Sequence, residues 1–140
     1  MNLRRFTIIL ALLFIIALTY GCAGQVEAPG PVLKDIDAPE ALALIERNRD
    51  NPDFIILDIR TPEEFNEGHI ENAVNMDFYA DTFRDDLDLL DKNKTYFIYC
   101  RSGNRSGRAM SIMKDLGFKE VYNLSVGIQE WIAEGFPVVK

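Results

Sequence analysis

The 140-residue chain contains one stretch that decides how it folds: Tyr96-Phe97-Ile98-Tyr99-Cys100-Arg101-Ser102-Gly103-Asn104-Arg105-Ser106-Gly107. Its first half is a continuous apolar run, which is typical of a strand covered on both faces of a sheet. Its second half is a short loop rich in Gly, Ser and Arg, and a helical apolar pattern begins at its end. A cysteine therefore stands at the end of a buried strand, just before a strand-to-helix turn.

Strand and helix patterns alternate along the rest of the chain. Apolar runs predict strands at residues 54–58, 73–76, 95–99 and 121–124. Start signals and helical apolar spacing predict helices near residues 38–48, 62–67, 81–90, 106–116 and 128–133. This alternation is typical of an α/β protein whose mostly parallel sheet has helices on both faces. In such sheets the site lies at the carboxyl ends of the strands, where Cys100 falls.

The first 21 residues have the composition of a secretory signal peptide. The uncharged apolar stretch at residues 6–18 is shorter than the roughly 20 residues that a membrane-spanning helix needs. It is followed by Leu-Thr-Tyr-Gly-Cys, which resembles the lipobox of bacterial lipoproteins, in which the cysteine is lipidated. We therefore expect a signal peptide at residues 1–21, a lipidated Cys22 with a flexible tether at residues 22–33, and a domain at residues 34–140; the alternatives are a plain signal peptide or an uncleaved anchor. This implies a cell-envelope protein, lipid-anchored to a membrane outside the cytoplasm.

Charge and cysteine usage argue against several classes of function. The formal net charge is −7, and removing residues 1–21 leaves 13 basic against 22 acidic side chains, or −9. No stripe of Lys and Arg is available to neutralise phosphates, so we expect no nucleic-acid partner. If Cys22 is lipidated, Cys100 is the one remaining thiol and no internal disulfide forms. One histidine and one usable thiol are also too few for a metal site of the usual ligand count.

The loop after Cys100 has the composition of an anion-binding turn. If residues 101–105 curl around the sulfur, their amides converge at the N-terminus of the following helix. Gly103 and Gly107 would permit the backbone angles that such a turn requires. The amides and two guanidinium groups favour a sulfur anion, so we expect a depressed thiol pKa and a nucleophilic thiolate. The alternative interpretation is a buried, inert thiol.

Several spaced motifs, taken in order, resemble those of rhodanese-like sulfurtransferases over residues 35–139. A cysteine is followed by four residues and then arginine, as in the active-site loop of that family. The other matching segments are Leu57-Asp58-Ile59-Arg60, Glu64-Phe65, Gly68-His69-Ile70, Ala73-Val74-Asn75, Trp131 and Gly135-Phe136-Pro137-Val138. One departure is Val126-Gly127, where the family usually has two glycines. The resemblance implies a three-layer α/β fold with a central sheet of about five strands.

The resemblance also implies a reaction and a site. Cys100 would accept a sulfane sulfur from a donor such as thiosulfate or a persulfide, and would pass it to cyanide or a thiol without a cofactor. Arg105 or Arg101 would orient the anionic donor. We favour Arg105 because it closes the loop, whereas Arg101 is equally well explained as a surface residue. The expected donor-binding residues all lie in the loop: Arg101, Ser102, Gly103, Asn104, Arg105 and Ser106.

Other residues of the resemblance have simpler explanations. We expect Asp58 and Arg60 to form a salt bridge that supports the loop, and the lone His69 to be a structural imidazole, since the chemistry needs no base. A cysteine phosphatase is a competing function, but its loop has five residues between Cys and Arg. A third alternative is a sulfur-carrier or interaction module with little turnover, docked on an envelope protein partner.

Overall fold

The computed structural model describes residues 30–140. The predicted signal peptide, the lipidation at Cys22 and most of the predicted tether lie outside these residues. The strands are β1 (Val32–Ile36), β2 (Phe54–Asp58), β3 (Val74–Asn75), β4 (Thr95–Tyr99) and β5 (Glu120–Leu124). The helices are α1 (Ala38–Arg47), α2 (Pro62–Glu67), α3 (Phe83–Asp88), α4 (Asn104–Asp115) and α5 (Gly127–Ala133).

The five strands form one parallel sheet in the order β1-β5-β4-β2-β3. β4 is central and pairs with β2 and β5 along most of its length. The predicted α/β fold with helices on both faces of a parallel sheet is confirmed. Because all strands run in the same direction, the loops that follow β2, β4 and β5 lie at one edge of the sheet.

Two apolar clusters fill the space on either side of the sheet. Side chains alternate along β4, so Phe97 and Tyr99 join the cluster that also contains Trp131 of α5. Ile98 and Cys100 belong to the opposite cluster, under α3 and α4. The cysteine therefore extends from the strand toward α4, and its backbone is fixed by the most buried strand of the protein.

Local start signals place the helices close to where the sequence predicts them. The N-terminus of α1 has a capping box between Asp37 and Glu40, and that of α2 has one between Thr61 and Glu64. Helix α4 begins at Asn104, two residues before the predicted start. This difference places Arg105 in the first turn of the helix.

Strand β1 corrects the predicted boundary of the tether. The tether is predicted to run to residue 33, but Val32 and Leu33 already pair with Glu120 and Val121 of β5. The sequence gives no alternating pattern here because β1 is an edge strand with largely exposed side chains. Among residues 30–140, no helix is long and apolar enough to cross a membrane.

Candidate active site

The Cys100 side chain lies at the base of the loop that joins β4 to α4, and it is 1% exposed. Its sulfur accepts hydrogen bonds from the Gly103 amide at 3.2 Å, from the Ser106 amide at 3.4 Å and from the Ser106 hydroxyl at 3.4 Å. The loop therefore curls around the sulfur as predicted. Three donors directed at one sulfur make a preorganised cradle for a negative charge.

The thiol pKa reflects two opposing effects. Burial favours the neutral thiol and raises the pKa of Cys100, whereas the hydrogen bonds from Ser106 and Gly103, with the adjacent Ser102 amide, lower it. The hydrogen bonds outweigh the burial, so the pKa lies below its ordinary value. The interpretation of Cys100 as an inert thiol does not explain this donor set, and the structure favours the thiolate.

Two glycines allow the loop to pack tightly against the turn before α5. Gly103 has φ +88°, and a Cβ there would lie 1.8 Å from the Ser125 carbonyl oxygen. Gly127 has φ +70°, and its Cβ would lie 2.3 Å from the Arg101 carbonyl oxygen. In contrast, Gly107 is an ordinary helical residue of α4, so the expectation that it needs unusual backbone angles is wrong.

The backbone angles explain why Val126 can replace the first of the two glycines that are usual in the family. It has φ −98° and ψ −8°, angles that any residue adopts, and its side chain is exposed. The structural requirement for glycine therefore falls on Gly127 alone. Beyond it, the amides of Ile128 and Gln129 donate to the carbonyls of Cys100 and Arg101 at 2.9 and 3.2 Å, which fixes the loop from behind.

Arg105 is held by an acidic partner, Glu64, which the sequence shows only as part of the Glu64-Phe65 motif. Its two terminal nitrogens each donate to one carboxylate oxygen of Glu64, both at 2.7 Å. The guanidinium also lies 5.4 Å from the ring centroid of Tyr79, an exposed side chain. The hydrogen bond from Arg105 lowers the pKa of Glu64 to about 2, so this carboxylate is ionised at neutral pH. Arg105 thus closes the loop through a salt bridge.

Three other predicted donor-binding residues are exposed at the rim of the loop: Arg101, Ser102 and Asn104. No residue within 30–140 forms a hydrogen bond or an ion pair with the Arg101 guanidinium. Within that range, it is the loop guanidinium left open to an incoming anion. Its role as a donor-orienting group stays a prediction.

The predicted salt bridge between Asp58 and Arg60 is present and buried, with a closest distance of 2.6 Å. Arg60 also donates to the Gly68 carbonyl at 2.7 Å and lies 5.7 Å from the Tyr99 ring centroid. Burial lowers the pKa of Arg60, but the hydrogen bond to Asp58 and the neighbouring negative charges, that of Asp58 first, together more than compensate, so the net shift is upward. The pair ties the end of β2 to the segment after α2, beside the end of β4.

His69 has structural contacts of the kind that the sequence analysis expects. Its ring stacks on Phe65 with centroids 3.7 Å apart, and its Nδ1 lies 3.1 Å from the Phe65 carbonyl oxygen. Its backbone forms an antiparallel bridge with Val139. Within residues 30–140, no group of three or more His, Cys, Asp or Glu side chains could hold a metal ion.

Comparison with known proteins gives a consistent family. The profile of the Rhodanese-like domain family matches residues 38–134. A protein named sulfurtransferase from Allochromatium vinosum is 35% identical over 97 residues, which cover 69% of this chain and 89% of that protein. A rhodanese-related protein from Thermoplasma volcanium has a crystal structure that superposes with a TM-score of 0.62 at 34% identity, covering 76% of this chain and 97% of that one.

Other relatives have a different name and a greater length. A tRNA uridine(34) hydroxylase from Photorhabdus laumondii is 36% identical over 99 residues, 64% of this chain. The aligned part is 28% of that protein, so the likeness concerns one portion of a larger molecule. The match to the family profile, the coverage of the sulfurtransferase and the cysteine cradle agree. This chain belongs to the Rhodanese-like domain family.

Proposed function

We propose that the domain is a sulfurtransferase that carries a sulfane sulfur on Cys100. A donor such as thiosulfate or a persulfide would transfer its outer sulfur to the Cys100 thiolate, and cyanide or a thiol would accept it from the resulting persulfide. The observation that carries this proposal is the set of three hydrogen bonds to the Cys100 sulfur. The same donors would stabilise the terminal sulfur anion of the persulfide.

The geometry also supports a mechanism without a proton relay. The attacking group is the thiolate form, which the loop donors favour because they lower the pKa of Cys100 against the effect of burial. The donor would approach through the open side of the loop, where Arg101 and Ser102 are exposed. Its leaving group would depart to solvent by the same side.

Turnover with several donors tests this function. We expect wild-type protein to transfer sulfur from thiosulfate or a low-molecular-weight persulfide to cyanide, and Cys100→Ser to transfer none. Equal inactivity of both proteins with every donor would reject the enzymatic function. It would favour the alternative of a sulfur-carrier or interaction module that docks on a partner protein.

We further propose that the domain is held on a membrane outside the cytoplasm by lipidated Cys22, through a tether that ends before Val32. The support is the apolar segment at residues 6–18 and the Leu-Thr-Tyr-Gly-Cys sequence that follows it. The full-length chain, expressed in a bacterial host, is expected in the membrane fraction with an acylated Cys22. An unmodified Cys22 in the processed protein would reject this proposal.

A further inference from the structure

The guanidinium of Arg105 is fully engaged with a carboxylate beside the site. Both of its terminal nitrogens donate to Glu64 at 2.7 Å, which is the bidentate geometry that Arg otherwise offers to an oxyanion. Glu64 is itself fixed, because its Oε2 accepts the Thr61 amide at 3.1 Å in the capping box of α2. An incoming tetrahedral anion therefore finds both terminal nitrogens of Arg105 already hydrogen-bonded, with the negative charge of Glu64 next to them.

The charge balance around Cys100 is less positive than the number of arginines suggests. Glu64 neutralises Arg105, and Asp58 neutralises the buried Arg60. The guanidinium of Arg108 lies over the Phe78 ring, 5.1 Å from its centroid. Within residues 30–140, this leaves Arg101 as the loop cation that neither an acid nor a ring engages.

Two classes of sulfur donor differ in the negative charge that they bring to the Cys100 site. With thiosulfate, the Cys100 thiolate attacks the outer sulfur, the S–S bond breaks and sulfite leaves with the bonding pair. Cys100 becomes a persulfide anion, and thiolate and donor together carry three negative charges. With a protonated persulfide, the same attack releases a thiolate and leaves Cys100 as a neutral persulfide, so the reacting pair carries a single negative charge.

We propose that Glu64 is a positioning residue that sets donor preference: by engaging Arg105, it favours persulfide donors over tetrahedral dianions such as thiosulfate. This inference rests on the proposed sulfur transfer through Cys100. The physical basis is that like charge opposes the approach of a dianion, whereas a persulfide with a small uncharged substituent meets little of that repulsion. Glu64 acts through Arg105 and does not touch the donor.

The donor preference of Glu64→Gln tests the inference. Glutamine still accepts the Thr61 amide in the capping box, but it removes the charge. The matched control is Glu63→Gln, an exposed acid on the same helix. We would measure kcat/KM with thiosulfate and with 2-hydroxyethyl hydropersulfide, using cyanide as acceptor at constant ionic strength. Glu64→Gln is expected to raise the ratio of kcat/KM with thiosulfate to kcat/KM with the persulfide by about tenfold, the scale of one charge-assisted hydrogen bond. Glu63→Gln is expected to leave this ratio unchanged.

The outcomes separate this inference from the function on which it rests. Wild-type protein that transfers sulfur with a ratio unchanged by Glu64→Gln would overturn the inference alone. No transfer from any donor would overturn both. Thermal unfolding checks that the variant is folded. Wild-type protein alone also tests the inference, because a higher kcat/KM with thiosulfate than with the persulfide would contradict it.

Sulfate gives a second readout that involves no chemical step. This unreactive tetrahedral dianion is expected to protect Cys100 from iodoacetamide weakly in wild-type protein. In Glu64→Gln, half-protection is expected at about tenfold less sulfate. Equal protection of the two proteins would overturn the inference.

Discussion

Ser106 contributes two of the three hydrogen bonds to the Cys100 sulfur, one from its amide and one from its hydroxyl. The Gly103 carbonyl oxygen lies 3.2 Å from the same hydroxyl, so the sulfur and this carbonyl share its one hydrogen. Burial opposes ionisation of Cys100, and the Ser106 hydroxyl is the strongest of the groups that counteract it. The Ser106 hydroxyl is thus the main group that favours ionisation of this buried thiol.

Replacing Ser106 with Ala should raise the pKa of Cys100. Because the thiolate is the reactive form, the alkylation rate falls as pH drops through the lowered pKa, and the whole profile should move to higher pH in the variant. We expect iodoacetamide to react about fivefold more slowly at neutral pH, as for the loss of one hydrogen bond of ~1 kcal/mol. Ser111→Ala, an exposed position on the same helix, is the control, and identical profiles for Ser106→Ala and wild type would contradict the assignment.

The Glu64–Arg105 pair should make stability depend on pH in acid. The pKa of Glu64 is depressed from 4.5 to about 2 in the folded state, so its contribution is complete above about pH 4.5 and is lost as pH falls through about 2. We expect Glu64→Gln to lower the free energy of unfolding by about 1–2 kcal/mol at neutral pH, allowing for solvent screening of a carboxylate 26% exposed. Urea unfolding at a series of pH values measures this difference.

The difference between wild type and Glu64→Gln should shrink between pH 4.5 and 2, since protonation removes the charge that the variant lacks. A difference that stays constant over this range would contradict a contribution from the charge of Glu64. Glu63→Gln gives the reference for the loss of one surface charge.

At the level of elements, the turn before α5 supports the loop that holds Cys100. The Gly127 position is in contact with the Arg101 carbonyl, and the amides that follow it donate to the loop. The geometry of the cradle therefore depends on how closely α5 approaches the end of β4.

Gly127→Ala should destabilise the protein and slow the alkylation of Cys100, because its Cβ would lie 2.3 Å from the Arg101 oxygen. Gly135→Ala is the matched control: its φ of +80° is similar, but a Cβ there meets nothing within 4 Å. Both variants carry the strain of a positive φ, about 1–2 kcal/mol. Urea unfolding should show the larger loss for Gly127→Ala, and equal losses with equal Cys100 reactivity would contradict a role for the close contact.

Local signals account for the elements that the sequence predicts well. β2 and β4 are continuous apolar runs, and α1 and α2 begin with capping boxes that are visible in the sequence. β1 was missed because its side chains are mostly exposed and two of its five residues are Lys34 and Asp35. Only its pairing with β5, about 90 residues later in the chain, defines it as a strand.

The site is less predictable because its contacts are long-range. The cysteine, the loop and the lowered thiol pKa follow from adjacent residues. The pairing of Glu64 with Arg105 joins residues 41 positions apart, and the requirement for Gly127 arises from the packing of α5 against the loop. In the sequence, Glu64 is part of a motif shared with the family and Arg105 is part of the anion-binding loop, and neither assignment alone reveals the salt bridge.

For the molecule as a whole, a parallel sheet between two helical layers places one buried cysteine at the carboxyl edge. We propose that this cysteine carries sulfur. Mass spectrometry of the protein after incubation with thiosulfate, and separately with a low-molecular-weight persulfide, tests it most directly. We expect the added mass of one sulfur atom on the peptide containing Cys100, removed by cyanide and absent from Cys100→Ser. An unmodified Cys100 with both donors, in folded protein whose thiol still reacts with iodoacetamide, would contradict it.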